Sequence, residues 1–289
     1  MDDLSDRVAG IEKEGSSRPL FSLVIPAYNE KARIRTSIDR IAQFLSGWEG
    51  GDWEVIVVDD GSTDGTGEAL GDPSIRARLA GGDGADDRPR PRVTFRVLQN
   101  SSNRGKGYAT RRGVLASQGE IVLLSDADLS TPLGECERLI RWLERGNEVA
   151  IGSRGLGTSR ILVRQAWYRQ SMGRVFNLFV RLFLLPDFRD TQCGFKAYRG
   201  AVAREVFRPP SLRGFAFDVE ILVRAVRHGH RVAEVPVTWS DAAGTRVHIL
   251  RDSLSMFADL VKVKVKDARG VYSRRAARTA RAENPPPDG

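Results

Sequence analysis

The sequence is short of the side chains that build disulfide frameworks and zinc sites. Only Cys136 and Cys193 occur in 289 residues, without CxxC spacing, and the three histidines, His228, His230 and His248, show no metal-ligand pattern. This excludes a disulfide-stapled fold and points to a reducing compartment. Neither cysteine has a histidine neighbour in sequence, so neither reads as a nucleophile, and His228-Gly229-His230 reads as a helix-ending turn. Long apolar runs are also missing. The longest apolar-rich stretch, Ile161–Leu185, is interrupted by Arg164, Arg169, Arg174 and Arg181, whereas a spanning helix needs about 20 mostly apolar residues. Met1–Gly15 is polar and lacks the apolar centre of a signal peptide. The chain is therefore expected to be soluble or peripheral to a membrane. A Walker A loop, GxxxxGK[ST], is absent. The five tryptophans do not interleave with basic residues as in an RNA-binding sheet, so no nucleic-acid partner is expected.

What remains is ordinary globular material: 41% hydrophobic residues, enough to fill the core of a large α/β domain. The formal net charge of +8 favours acidic partners such as phosphorylated small molecules or anionic lipid. Phe21–Ile25, Glu54–Val58, Val93–Leu98, Ile121–Leu124 and Val149–Ile151 read as short buried strands. Between them, Ile34, Ile38, Ile41 and Leu45 have helical spacing, and further helices are expected over about 105–118 and 132–145. Strands alternating with helices predict a mostly parallel, doubly wound central sheet flanked by helices, in which ligands bind beyond the carboxyl ends of the strands. Residues 1–18 read as a flexible leader, Gly81–Pro91 as a surface loop, and 246–289 as an amphipathic basic segment ending in a Pro-rich tail. Within that last segment, Lys262–Arg281 carries eight basic residues and one acidic. Its membrane reading, as an anchor on anionic lipid, stands beside a plain one, a solvated end.

The informative polar residues sit at the strand ends. The first strand runs into Pro26-Ala27-Tyr28-Asn29-Glu30, and the second into Asp59-Asp60-Gly61-Ser62-Thr63-Asp64. Adjacent carboxylates there suit the N–H and hydroxyl donors of a nucleoside, while Gly61 permits a tight turn and close backbone approach. An ordinary strand-to-helix turn with Ser62 or Asp64 as N-cap is the plain alternative. Asn103-Arg104-Gly105-Lys106-Gly107 opens the next helix with basic side chains and free backbone N–H groups, a phosphate-binding arrangement. The fourth strand ends in Ser125-Asp126-Ala127-Asp128. Two carboxylates brought close repel unless a cation neutralises them. Mg²⁺ or Mn²⁺, with a preference for hard oxygen ligands, would relieve this and bridge a diphosphate.

These four motifs, in this order after successive strands, resemble family 2 inverting glycosyltransferases. The likeness continues through Ile151-Gly152-Ser153-Arg154, Asp190-Thr191-Gln192-Cys193-Gly194-Phe195-Lys196 and Gly214-Phe215-Ala216-Phe217-Asp218 to Pro236-Val237-Thr238-Trp239. The set is similar to the dolichyl-phosphate β-glucosyltransferase branch over roughly residues 20–245. The resemblance implies a single GT-A-type domain over 19–245, with a nucleotide-sugar half (19–130) and an acceptor half (131–245). It implies UDP-glucose as donor, bound through Pro26, Ala27, Tyr28, Glu30, Asp59, Asp60, Gly61, Asn103, Lys106 and Asp126. Asp126 and Asp128 would hold the metal. Arg154, Arg164, Arg169 and Gln192 would meet a polyprenyl-phosphate acceptor on the cytoplasmic face of a membrane.

Elementary chemistry supports a phosphate acceptor. A hydroxyl acceptor needs a general base, but a phosphate monoester is largely a dianion at neutral pH and needs only cations to position it. The expected reaction is in-line attack of a phosphate oxygen on the anomeric carbon. Asp126, Asp128, Asp190 and Asp218 are the expected catalytic carboxylates, with Asp190 and Asp218 orienting the sugar. With a hydroxyl acceptor, Asp218 would be the base. Soluble phosphorylated or hydroxyl acceptors, GDP-mannose as donor, and a non-enzymatic basic membrane- or nucleic-acid-binding protein are the alternatives.

Overall fold

The computed structural model describes residues 19–80, 90–163, 167–241 and 249–273. The leader, most of the 81–91 loop, Arg164 and the tail beyond 273 lie outside the described residues, as does the side chain of Arg169.

Three of the apolar runs become central strands: β1 (Phe21–Ala27), β2 (Trp53–Asp59) and β4 (Ile121–Leu124). Their alternation is hidden in the sequence because both faces are covered. Leu23, Ile25, Val55, Val57 and Leu123 enter one apolar layer, and Val24, Ile56, Val58, Val122 and Leu124 enter the other. In the first layer, α1 (Lys31–Ser46) buries Ile34, Ile38, Ile41 and Leu45 along one face, and α2 (Thr66–Gly71), α3 (Pro73–Leu79) and α5 (Cys136–Glu144) add Leu70, Ile75, Leu79, Leu139 and Leu143. At the amino ends of β1 and β2, Phe21 stacks on Trp53 at 4.7 Å and meets Trp48 edge-on.

Among the described residues the central sheet has seven strands in the order β3-β2-β1-β4-β7-β5-β8, with β3 Val93–Gln99, β7 Lys196–Arg199, β5 Val149–Ser153 and β8 Val232–Pro236. The first four are parallel, as are β5 and β8, while β7 runs antiparallel to both of its neighbours. The expected mostly parallel α/β sheet is therefore present, with a reversed strand that periodicity does not signal. β6 (Arg160–Val163) and β9 (Thr238–Ser240) pair separately.

The chain steps outward from β1 through β2 to β3, then crosses back to place β4 on the other side of β1. This reversal opens a crevice beyond the carboxyl ends of β1 and β4, the ligand position in open α/β sheets. Pairing of Ala27 with Asp59 and of Asp59 with Gln99 brings the strand ends level, so the loops that follow share one rim.

Helices α4 (Lys106–Ala116), α6 (Trp167–Phe183), α7 (Gly200–Phe207), α8 (Phe217–Arg227) and α9 (Ile249–Ala268) belong to the second layer. The basic C-terminal segment is not appended to this body. Leu260 and Val263 of α9 are core residues, Phe257 packs on Phe176 and Phe179, and Lys266 and Tyr272 bond the buried Glu220. Residue 245 is therefore no packing boundary, because Leu260 and Val263 of α9 are spent on the core. Among the described residues, no helix is long and apolar enough to cross a membrane.

Candidate active site

The first two loops brace each other. Asn29 N–H donates to Ser62 Oγ, Glu30 N–H to Thr66 Oγ1 and Lys31 N–H to Asp64 Oδ2, while Thr63 N–H donates to Asn29 Oδ1. Asp64 also caps its own turn through the N–H of Thr66. Burial acts to raise the Asp64 carboxyl, but the hydroxyl of Thr66 and the N–H groups of Lys31 and Thr66 outweigh it and hold it low. Asp64 thus closes the turn ahead of the short helix at Thr66–Gly71, whose N-cap is Gly65 rather than Ser62 or Asp64, and the turn borders the crevice.

The residues expected to hold the donor divide by position. Tyr28 is 42% exposed at the rim, whereas Ala27, Asp59 and Asp60 are buried. Asp59 Oδ1 accepts from Ser62 N–H. Asp60 accepts from the Asn100 side chain and from the backbone N–H groups of Arg104 and Gly105. It therefore ties the Asn103–Gly107 loop to β2, with Gly61 lying directly on the backbone of Ser102 and Asn103.

Lys106, the first residue of α4, pairs with Asp126 at 2.6 Å. Burial acts to lower the Lys106 ammonium, but Asp126, Asp218 and Asp128 outweigh it and raise it. Asp126 is held low by Lys106 against the opposing effect of burial, with Lys196 and Arg154 contributing. Six charged groups from β4, α4, α8 and the segments around β5 and β7 thus converge. Arg154 grips Asp190 with two parallel bonds, Nε to Oδ2 at 2.7 Å and Nη2 to Oδ1 at 3.0 Å. Burial would raise the Asp190 carboxyl, but the Arg154 charge, its hydrogen bonds and the Gln192 N–H hold it at about 2. Lys196 and Asp218 form a buried pair.

Asp190, Asp218 and Asp126 are thus each matched by a cation. Among the described residues Asp128 has no ion-pair partner. Its Oδ1 accepts from the N–H and hydroxyl of Ser130 at 2.9 and 2.8 Å, a turn that fixes its orientation. The intervening Leu129 has φ of 49°, a costly conformation for leucine that this turn imposes. An unmatched carboxylate beside the Lys106–Asp126 pair, both with hard oxygen donors, fits a divalent cation.

Beyond Arg154 lies a cavity of about 720 Å³. Arg154, Gln192, Arg174 and Arg181 contribute polar groups to its lining, and Leu178 and Trp239 contribute apolar surface. Of the residues expected to meet the acceptor, Arg154 and Gln192 are brought together here. Arg164 and the side chain of Arg169 lie outside the described residues.

A sequence profile for Glycosyl transferase family 2 matches residues 22–207. The chain belongs to this family. It is similar to dolichyl-phosphate beta-glucosyltransferase of Saccharomyces cerevisiae, at 31% identity over 90% of this chain and 79% of that protein. It is also similar to the human protein of that description, at 30% identity over 87% of this chain and 77% of its relative. The fold is shared with glucosyl-3-phosphoglycerate synthase from Mycobacterium tuberculosis, solved in complex with Mn²⁺, UDP-glucose and phosphoglyceric acid. The TM-score is 0.59 and the identity 20%, over 91% of this chain and 85% of that one.

Within this family 2 glycosyltransferase, several residues of the site carry no separate signal in the sequence. Lys196 opens β7 with its side chain buried, and a buried lysine requires an anionic partner, yet nothing local names Asp218. Arg181, seen in sequence only as a break in an apolar run, lines the cavity together with Arg174. Gly194 is a contact residue of the carboxylate cluster. A Cβ there would stand 2.6 Å from the carboxyl carbon of Asp126. Gly194→Ala is therefore expected to displace Asp126 from Lys106 and to lower transferase turnover about 10-fold or more, since misplacement of about 1 Å costs up to 10²-fold. Thermal unfolding should change little. Steady-state kinetics beside a melting curve measure both.

Proposed function

We propose that this family 2 glycosyltransferase transfers glucose from UDP-glucose, with inversion, to a polyprenyl phosphate presented at a membrane surface, on its cytoplasmic side. The observation that carries the reading is the cavity beside the carboxylate cluster, where arginines and apolar side chains share one lining. Such a lining suits a phosphate attached to a hydrocarbon chain.

In this reading Pro26, Ala27, Tyr28, Glu30, Asp59 and the Asn103–Gly107 loop frame the nucleoside and diphosphate. Asp60 and Gly61 hold that frame in shape. Asp126 and Asp128 would hold Mg²⁺ or Mn²⁺, which when bound would supply positive charge at the departing diphosphate. Lys106 adds a fixed positive charge at the same place. Arg154, held by Asp190, keeps further N–H donors for the acceptor phosphate, and Gln192 lies beside it. Asp190 and Asp218, each ion-paired, orient these cations and the sugar. The 19–130 half thus serves the donor and the 131–245 half the acceptor.

Exposed apolar residues continue from the cavity. Leu178, Leu182 and Phe183 on α6 are 51%, 67% and 48% exposed, and Leu162 on β6 is 67% exposed. Arg181 lies among them, a mixture suited to the interface of an anionic bilayer. The test is a matrix of UDP-glucose or GDP-mannose against a short polyprenyl phosphate in anionic vesicles or free 3-phosphoglycerate, with nucleoside diphosphate release as readout. Release is expected with UDP-glucose and the polyprenyl phosphate. Turnover confined to 3-phosphoglycerate would replace the acceptor, and turnover only with GDP-mannose would replace the donor.

A further inference from the structure

A second group of metal-ligating side chains lies away from the strand ends. Glu205 on α7 meets His228 and His230, which follow the last residue of α8. Asp218 occupies the first turn of the same helix. At 1.5 Å per residue the histidines lie about 15 Å along α8 from it. Among the described residues this is the one cluster of three such side chains whose ligand atoms lie within 4.8 Å of one another.

The turn that joins the histidines brings them together. Gly229 has φ of +81°, and His230 N–H donates back to Ala225 C=O while Gly229 N–H donates to Val226 C=O. This left-handed end to the helix swings His230 back beside His228, and both rings reach Glu205. His228 Nδ1 lies 2.9 Å from Glu205 Oε1, and His230 Nε2 lies 3.6 Å from Oε2. The second distance is too long for a hydrogen bond. His230 Nε2 is buried without a hydrogen-bond partner on a side chain only 9% exposed. A buried ring nitrogen left so is costly and calls for an explanation.

We propose that Glu205, His228 and His230 form a Zn²⁺ site that fastens α7 to the end of α8. Ligands about 2.0–2.1 Å from a tetrahedral zinc stand about 3.3 Å apart; each histidine nitrogen already lies within 3.6 Å of a Glu205 oxygen, and all three ligand atoms lie within 4.8 Å of one another. Two imidazoles and a carboxylate favour zinc over Mg²⁺, whose preference is for oxygen. Glu205 is 43% exposed on its side chain, which leaves the fourth position open to water. The carboxylates at the strand ends are a separate site with a different donor set, so this inference does not rest on the proposed reaction.

The test uses the full chain stripped with EDTA and then titrated with Zn²⁺. One equivalent should remain after gel filtration, and the thermal unfolding midpoint should rise by about 5 °C at saturating zinc. Co²⁺ in place of zinc should give the visible absorption of a tetrahedral ion. His230→Gln and Glu205→Gln should each weaken zinc binding at least about 10-fold while keeping the far-ultraviolet spectrum of the metal-free wild type. Asp128→Asn should leave the visible absorption of the tetrahedral Co²⁺ ion unchanged. Uptake below one equivalent by the wild type, or equal affinity in the His230→Gln and Glu205→Gln variants, would overturn the assignment.

Discussion

Asp128→Asn is expected to reduce transferase turnover by about 10²–10³-fold, equivalent to about 3–4 kcal/mol of lost transition-state stabilisation. Thermal stability should stay within about 0.5 kcal/mol of the wild type. Asparagine keeps Oδ1 as an acceptor for the N–H and hydroxyl of Ser130, so the turn that fixes this side chain survives. What is removed is the negative charge of the carboxylate that has no ion-pair partner among the described residues. Alanine would remove both, and its effect would mix a lost charge with a loosened turn at the strained Leu129. Titration of Mn²⁺ against UDP-glucose turnover separates the outcomes. A raised metal requirement with a lower plateau supports Asp128 as a ligand, whereas full activity at unchanged metal concentration removes it from that role.

The second large effect is expected at Arg154. Arg154→Ala leaves Asp190, whose side chain is 3% exposed, without its bidentate partner. Removing half of a buried pair costs about 3–5 kcal/mol, and the cavity proposed for the acceptor loses an arginine at the same time. The double variant Arg154→Ala with Asp190→Asn removes both charges and should recover much of the stability. It should recover little activity, because no fork is restored for the phosphate. Urea denaturation and steady-state kinetics of the two variants distinguish a charge-burial effect from an acceptor effect. Recovery of both together would make the pair purely structural.

The same pair predicts a pH dependence. The Asp190 carboxyl is depressed to about 2 in the folded protein, against about 3.9 in an unfolded chain. Its contribution is therefore complete above about pH 4 and is lost as the pH falls from about 4 to about 2. Urea midpoints across that interval should fall less steeply in the double variant than in the wild type.

The central strands were legible because a strand covered on both faces must be apolar at nearly every position, as in β1, β2 and β4. The meeting of the loops after β1, β2, β3 and β4 was legible because parallel strands place all their carboxyl ends on one rim, so polar residues after each run had to come together. The role of Asp60 was not legible. Next to Asp59 it reads as a second nucleoside ligand, but its partners, Asn100, Arg104 and Gly105, lie 40 or more residues away. The C-terminal segment offered a membrane anchor or a solvated end, and neither reading foresaw that Leu260 and Val263 of α9 pack into the core beside α6 and α8.

By itself, then, the sequence determined the layered α/β sheet, the family and the strand ends at which the chemistry is gathered, since periodicity and loop motifs are local properties of the chain. Tertiary structure alone decided which charges neutralise one another, that Gly194 lies against Asp126, that a basic and apolar cavity opens beside Arg154, and that Glu205 completes a pair of histidines. Each of these depends on sheet order and helix packing between segments distant in sequence. Contacts of that kind leave no period and no spacing to read.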